Sequence, residues 1–339
     1  MSAGILCFGT VTVDQGKVID HYPAREHLAL ISEVSKSTGG PGLNLAIDLR
    51  RLDKDLAIHM IGAVGGDSNA DYLLSECEKY RIDASDVQKF PGISTPFTDC
   101  MVEKHGGKRT FFFHSGSGDL LDSEKVDLDK HDVKVLHVGA AGVHKLMDQD
   151  FNGETRWVRF LRNAHQRGIH TNMEMVSLAP EVLKKLVLPC LPFLDSVIIN
   201  EVEAGILTDI QYEKADNVPP LDWGKLEQMA RGLIKLGVNK FAVIHTPLGV
   251  VAADKDGNVF RQGSVAVPDE VVISTTGAGD AVTAGVMYGV FHDWDLAKSI
   301  KAGVACAAMC IMDAHTSEGI KPINETLAAA ESMGFRPTH

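Results

Sequence analysis

Apolar positions along the chain change their period from segment to segment, and the period sorts the segments into two kinds. Short apolar runs read as strands: "GILCFGTVTVD" at 4–14, "LAIHMIGAVGG" at 56–66, "KVLHVGA" at 134–140, "GIHTNMEM" at 168–175, "DSVIIN" at 195–200 and "KFAVIHT" at 240–246. Between them lie stretches with apolar residues every three or four positions. In "GPGLNLAIDLRRL" these are Leu43, Ala46, Ile47, Leu49 and Leu52, and "ADYLLSECEKY", "TRWVRFLRNAHQRG" and "LEQMARGLIKLG" follow the same rule. Strands alternating with helices predict a mostly parallel sheet covered on both faces, an α/β three-layer sandwich.

Two regions break the rhythm. Residues 14–38 and 91–118 alternate polar and apolar positions with no helix between the runs, and the second carries a Gly-Gly turn at Gly106-Gly107. They predict a small antiparallel sheet inserted as a discontinuous lid, with residues 1–13, 39–90 and 119–339 forming the main nucleotide- and substrate-binding domain. Exposed faces of such sheets often pair between copies, so a homodimer through the lid is expected.

Composition narrows the function classes. The chain has 339 residues, 45% hydrophobic and 23% charged, with a formal net charge of −12. A broad polyanion-binding surface would be basic, so nucleic acid and anionic membrane are not expected partners. A phosphorylated small molecule remains compatible, because backbone N–H groups and a metal can supply local positive potential. The six cysteines are scattered in apolar surroundings; Cys306 and Cys310 sit one helical turn apart, which suggests buried thiols and not a metal knuckle. The N-terminus lacks a basic stretch before its apolar run, and no run is long enough to span a membrane. A reduced, cytoplasmic setting is the expectation.

The chemistry concentrates in "VVISTTGAGDAVTAGVMYGVF" at 271–291, where a β-branched run reaches small residues, one carboxylate and a helical pattern. Glycine and alanine let backbone N–H groups crowd against phosphate oxygens, and the helix that follows points its positive end at the same spot. Asp280 in the first turn can then take a proton from an attacking hydroxyl. "STTGAGD" resembles the C-terminal signature of the ribokinase-like (PfkB-type) carbohydrate kinases, written D-T-x-G-A-G-D. The family's partner signature, a Gly-Gly pair before a helix with Asn four residues on, is matched by "TGGPGLNLAIDLRRL". The likeness runs from Ile5 to about Pro322.

The resemblance implies roles by position. Asp280 matches the catalytic base, and the amides of Gly277, Ala278 and Gly279 match the anion hole. Asp14, Gly40 and Asn44 match contacts to the sugar. Asn200 and Glu203 match the N-x-x-E motif that organises magnesium and phosphate, with Glu203 acting on Mg²⁺ through water. Thr246, Gly249 and Thr276 match positions near ATP. The lid strand ends over the sugar in this family, which makes His114 and Phe97 substrate candidates. Asn172 and Glu174 lie at the C-terminal end of a strand, the usual ligand side of such a sheet.

Each of these residues also has a plainer reading. Asp14 could cap a turn, Asn44 could sit exposed on its helix, and Gly249 could serve only a turn. "NEVE" reads equally as a capping box, with Asn200 as N-cap and Glu203 reaching back. Arg109 and His114 could be solvated edge residues. Phe97, Phe111, Phe112 and Phe113 at period two read first as lid core and second as a platform for a nucleoside base. Ser274 stands where the family has an Asp that holds a monovalent cation, so affinity for K⁺ is expected to be lower. Pro41 and "LHVGAAGV" lack the Lys and Glu of ribokinases, which argues against ribose. Arg109, Lys108 and Lys145 are the candidates to receive an acceptor that already carries phosphate.

The reading is therefore an ATP- and Mg²⁺-dependent kinase of a small sugar, with a nucleoside kinase of the same fold as alternative. An NAD-dependent oxidoreductase is disfavoured because the glycines do not follow the first strand directly. A P-loop enzyme is excluded by the absence of a Walker A sequence. A non-catalytic sugar-binding regulator is disfavoured by the intact Asp280 and Gly-Ala-Gly.

Overall fold

A computed structural model of the chain describes residues 3–104, 109–212, 221–313 and 317–338. Among them the strands are β1 (Gly4–Gly9), β2 (Thr12–Ile19), β3 (Ile31–Gly39), β4 (Ala57–Ile61), β5 (Ala63–Val64), β6 (Gln88–Lys89), β7 (Phe97–Glu103), β8 (Arg109–His114), β9 (Val133–Gly139), β10 (His170–Met173), β11 (Ser196–Asn200), β12 (Phe241–Thr246), β13 (Gly249–Asp254) and β14 (Val259–Gly263). The helices are α1 (Pro41–Leu52), α2 (Ser68–Lys79), α3 (Lys145–Asp148), α4 (Arg156–Gln166), α5 (Pro180–Val187), α6 (Glu201–Thr208), α7 (Trp223–Lys235), α8 (Ala278–Phe291), α9 (Leu296–Ile311) and α10 (Ile323–Met333).

Eight strands form the central sheet in the order β14-β13-β12-β11-β10-β9-β1-β4, parallel from β4 to β12 and antiparallel at the β13 and β14 edge. The unbroken apolar character of β1 follows from burial on both faces: Ile5 and Cys7 enter one core, Leu6 and Phe8 the other. The first core carries residues of α1, α2, α8, α9 and α10, and the second carries residues of α4, α5, α6 and α7. All six cysteines are buried and none forms a disulfide. No helix among the described residues is long and apolar enough to cross a membrane.

The expected single strand at 4–14 is two strands in two sheets. Gly9 has φ 134°, and a Cβ there would meet Gly139 O at 1.6 Å, so the chain bends away where only glycine fits. β2 then opens a second sheet, ordered β3-β2-β7-β8, and Asp14 belongs to it and not to the end of β1. The run at 56–66 likewise splits into β4 and β5. The four-stranded sheet fits the inserted lid, but it is mixed and not antiparallel throughout, because β2 pairs with β7 in parallel. The Gly106-Gly107 turn and Lys108 lie outside the described residues.

The phenylalanines correct a second expectation. Phe111, Phe112 and Phe113 are 57%, 52% and 39% exposed, not lid core. β8 is the edge strand of its sheet, and neither of its faces is covered there. Register places Phe113, Thr98 and Asp14 on one face, so Phe113 looks the same way as Asp14.

Helix α8 is buried continuously from Ala281 to Gly289, which explains its lack of amphipathic pattern. Its glycines set how closely α9 approaches. A Cβ on Gly285 would lie 2.6 Å from the Ala302 backbone, and one on Gly289 would lie 2.3 Å from Ser299 Oγ. Gly224 near the start of α7 has only ordinary space around it. Two alanine substitutions should therefore differ in sign. Gly285→Ala is expected to destabilise by about 2–4 kcal/mol through overpacking, whereas Gly224→Ala should stabilise by roughly 0.5–1 kcal/mol. Urea midpoints measure both, and a Gly285→Ala protein as stable as the Gly224→Ala one contradicts the packing argument.

Candidate active site

The Gly277–Gly279 segment begins α8. Gly277 is its N-cap at φ 81°, and the first amides of the helix are left without helical acceptors there, the arrangement that receives an anion. A Cβ on Gly279 would approach His245 Cε1 at 3.3 Å, so the end of β12 packs directly against this start. Burial pushes His245 down to about 4, leaving the ring neutral. Thr246, the next residue, closes the β12–β13 turn: its Oγ1 donates to Gly249 O at 3.0 Å and accepts from Leu248 N at 3.2 Å.

From the other side comes α1. Gly40 precedes it at φ 89°, where a Cβ would meet Thr10 O at 2.4 Å. One turn on, Asn44 is buried, not exposed, and its Nδ2 donates to Asp280 Oδ2 at 2.6 Å across 236 residues of sequence. Asp14 joins them from β2. A Cβ on Gly39 would lie 2.3 Å from the Asp14 carboxyl, so the first glycine of the Gly-Gly pair makes room for that group. Burial, opposed by a hydrogen bond from Thr98 and reinforced by Asp280, pushes Asp14 up to about 7. Asp14, Asn44 and Asp280 therefore lie together.

Glu174 gives the site a further carboxyl that sequence reasoning left without a role. It hydrogen-bonds Asp280, and burial followed by the Asp280 charge raises Glu174 well above the usual range. Burial also raises Asp280, while hydrogen bonds from Glu174 and Asn44 bring it back down. The contact raises Glu174 and lowers Asp280, so it favours the proton on Glu174 over Asp280.

Behind Glu174 a polar chain runs through the sheet interior. Ser196 Oγ donates to Asn172 Oδ1 at 3.0 Å, and Asn172 Nδ2 donates to His137 Nδ1 at 2.9 Å. That contact puts the His137 proton on Nε2, which faces Glu174 Oε2 at 3.5 Å. Burial pushes His137 down to about 3, so this is a neutral contact and not an ion pair. Asn172, expected to meet substrate, is fully buried within this chain and supports Glu174 instead.

The remaining candidates divide. Asn200 and Glu203 form a capping box at the start of α6, with Asn200 Oδ1 accepting from the Val202 and Glu203 amides at 3.0 and 2.9 Å. Glu203 is buried, which pushes it up to about 7. Arg109 crosses from the small sheet to the segment before the cradle: it donates to Thr276 Oγ1, and to Ser274 Oγ at 3.2 Å. His114 is exposed, bonded to Ser94 Oγ at 2.7 Å and stacked on Phe97 with centroids 5.0 Å apart. Lys145 is exposed at the start of α3. Sequence reasoning also missed Asp48, one turn beyond Asn44 on α1, fully buried and raised by that burial. Its only signal was an acid on the predicted core face.

Residues 2–323 match the sequence profile of the pfkB family carbohydrate kinase. The chain is similar to a 5-dehydro-2-deoxygluconokinase of Clostridium perfringens, with 24% identity over 94% of this chain and 91% of that one. Among solved structures it resembles Arabidopsis thaliana ribokinase complexed with ribose and ATP, at TM-score 0.78 and 15% identity over 98% of this chain and 99% of that one. It also resembles Burkholderia thailandensis nucleoside kinase in complex with inosine, at TM-score 0.73 and 18% identity over 98% and 100%.

The carboxyl pair gives a measurable consequence. Glu174→Leu removes the donor and should raise the Asp280 pKa further, whereas Glu174→Gln keeps an N–H donor and should raise it less. Carbon-13 NMR titration of the Asp280 carboxyl reads the difference; coincident curves for the two variants rule out the assigned pairing.

Proposed function

The chain belongs to the pfkB family of carbohydrate kinases, and from that premise we propose that it moves the γ-phosphoryl of ATP to a hydroxyl of a small sugar-like acceptor. One observation carries the reading: the Asp280 carboxylate at the start of α8, bonded to Asn44 at 2.6 Å and flanked by Gly277–Gly279. Asp14 and Asn44 orient the acceptor, and its hydroxyl lies against Asp280. As the oxygen attacks phosphorus, its proton passes to Asp280, while the amides at the helix start receive the charge gathering on the phosphoryl oxygens. Closure of the small sheet over the cleft keeps water from competing as acceptor.

The donor set fits a magnesium–triphosphate. Asn200 Oδ1 is occupied by its two amide donors, and the Glu203 carboxylate is turned inward by the capping box, so both suit a shell of metal-bound water better than direct ligation. The bound ion would neutralise charge on the phosphate oxygens. A monovalent cation fits less well. The guanidinium of Arg109 already brings a fixed charge to Ser274 and Thr276, where the resemblance expects potassium, and this supports potassium-independent turnover.

A second reading has its own support. Exposed Phe113, on the face of Asp14, and exposed Phe111 beside it offer aromatic surface to a nucleoside base. Exposed Leu28, Leu30, Ile31 and Val34 on and beside β3 support pairing of two copies through the small sheet.

Replacing the base should be decisive. Asp280→Asn is expected to lower kcat by about 100- to 10,000-fold with the KM for ATP little changed, and near wild-type turnover removes Asp280 from this role. ADP release across ribose, fructose, 2-keto-3-deoxy acids, inositols and nucleosides identifies the acceptor. A carbohydrate among the best substrates supports the first reading, nucleosides alone support the second, and no acceptor above the rate with water refutes both. Exchange of K⁺ for Na⁺ should leave the rate unchanged. Light scattering should give twice the 36.6 kDa chain mass, and a monomer refutes the pairing.

A further inference from the structure

Far from the cleft, three segments bring metal-ligating side chains together. His59 lies in the middle of the edge strand β4, Asp83 follows α2, and His131 precedes β9. One ring nitrogen from each histidine and one oxygen of Asp83 lie within 4.8 Å of one another. His59 Nδ1 is 3.0 Å from Asp83 Oδ2, and the two imidazole rings have centroids 4.2 Å apart. We propose that His59, Asp83 and His131 form a binding site for a divalent transition ion of the zinc type, independent of phosphoryl transfer.

The donors suit that ion. Zinc takes histidine nitrogen at about 2.0–2.1 Å and carboxylate oxygen at about 2.0–2.2 Å in tetrahedral geometry, which sets neighbouring donors roughly 3.3 Å apart. The His59–Asp83 separation needs only a small opening to meet that value. Two imidazoles and one carboxylate leave the fourth position to water.

Two of the three donors are also held by neighbours. Asp83 Oδ1 accepts from Ser85 N at 3.0 Å, which leaves Oδ2 for the ion. Its backbone is fixed to β4, with Asp83 N donating to Ile58 O at 2.9 Å and Met60 N donating to Asp83 O at 2.8 Å. His131 Nε2 donates to Asp86 Oδ2 at 2.7 Å, so the lone pair of that ring is on Nδ1. A carboxylate behind a histidine is the arrangement that fixes tautomer and ring plane in metal sites. Lys130 holds the other oxygen of Asp86. The His131 side chain is 7% exposed and that of Asp83 42%, so the site is sheltered yet open on one side to an incoming ion.

Occupation would join the edge of the main sheet to the segments on either side of it. The ion should therefore raise the melting temperature as well as bind. The six thiols are buried and should not compete.

The test uses the full chain after treatment with a chelator, with Zn²⁺ binding read by competition against a chromophoric zinc indicator. One ion per chain is expected, with an accompanying rise in melting temperature that Mg²⁺ does not reproduce. His131→Ala and Asp83→Asn should each weaken binding by at least about 100-fold, and Asp86→Asn by about 10- to 100-fold through loss of its hold on the His131 ring. His21→Ala, at an exposed histidine just after β2, should change nothing. No stoichiometric Zn²⁺, or binding that survives His131→Ala, overturns the proposal. Should a variant fail to fold, anomalous scattering at the zinc edge from soaked wild-type crystals decides: a peak among His59, Asp83 and His131 supports the site, and a peak elsewhere or none overturns it.

Discussion

Everything in the cleft depends on keeping one half-buried carboxylate ionised. Burial raises Asp280, as it raises the neighbouring acids Asp14, Glu174 and Glu203. Three features oppose that tendency. The start of α8 supplies positive potential, Asn44 donates to Oδ2, and Glu174 donates the proton it retains. The sign of the pH effect follows. An acid raised on folding binds protons more tightly in the native state, so the stability contributed by these acids is fully present at low pH and is lost as pH rises from about 4 through 7, the value to which Asp14 and Glu203 are pushed. The cleft is thus a place where the fold gives up stability to hold charge that a polyvalent ligand would balance.

Such a balance works only if the groups cannot drift apart, and the fold fixes them by close backbone packing. Gly285 and Gly289 let α9 press against α8, Gly40 lets α1 start against Thr10, and Gly39 leaves the volume that the Asp14 carboxyl fills. The contacts at Gly285 and Gly40 are with backbone atoms, which cannot swing aside as a flexible side chain can. The 2.6 Å bond between Asn44 and Asp280 is the consequence of two helices held at their N-termini, not a cause of their position.

Period and small-residue spacing made the central sheet, its helices and the Gly-Ala-Gly cradle legible before any coordinates. The capping box at Asn200 was legible too, because both its partners lie within four residues. What was hidden depended on long-range contact. Nothing in "GILCFGTVTVD" marks the change of sheet at Gly9, since the obstacle is Gly139 O, far along the chain. The role of Asn172 turned on where β10 sits between β9 and β11, which buries it against His137 and Ser196. The phenylalanines of β8 were misjudged because period two specifies a face without saying whether anything covers it.

Arg109 is the point where the two sheets meet chemically. Its side chain leaves an edge strand and bonds hydroxyls of Ser274 and Thr276, and Thr276 lies directly before the N-cap glycine. Arginine binds a planar or tetrahedral anion far better than a hydroxyl, since its donors then meet full charge. A phosphate arriving at the cradle would therefore compete with those hydroxyls for the guanidinium. The same side chain that holds the small sheet near the cradle without ligand would transfer part of its hydrogen bonding to the ligand, so closure and phosphate binding draw on one set of donors. A serine at 274 allows this exchange, because a hydroxyl releases arginine at little cost, whereas an aspartate there would hold it in a charged pair.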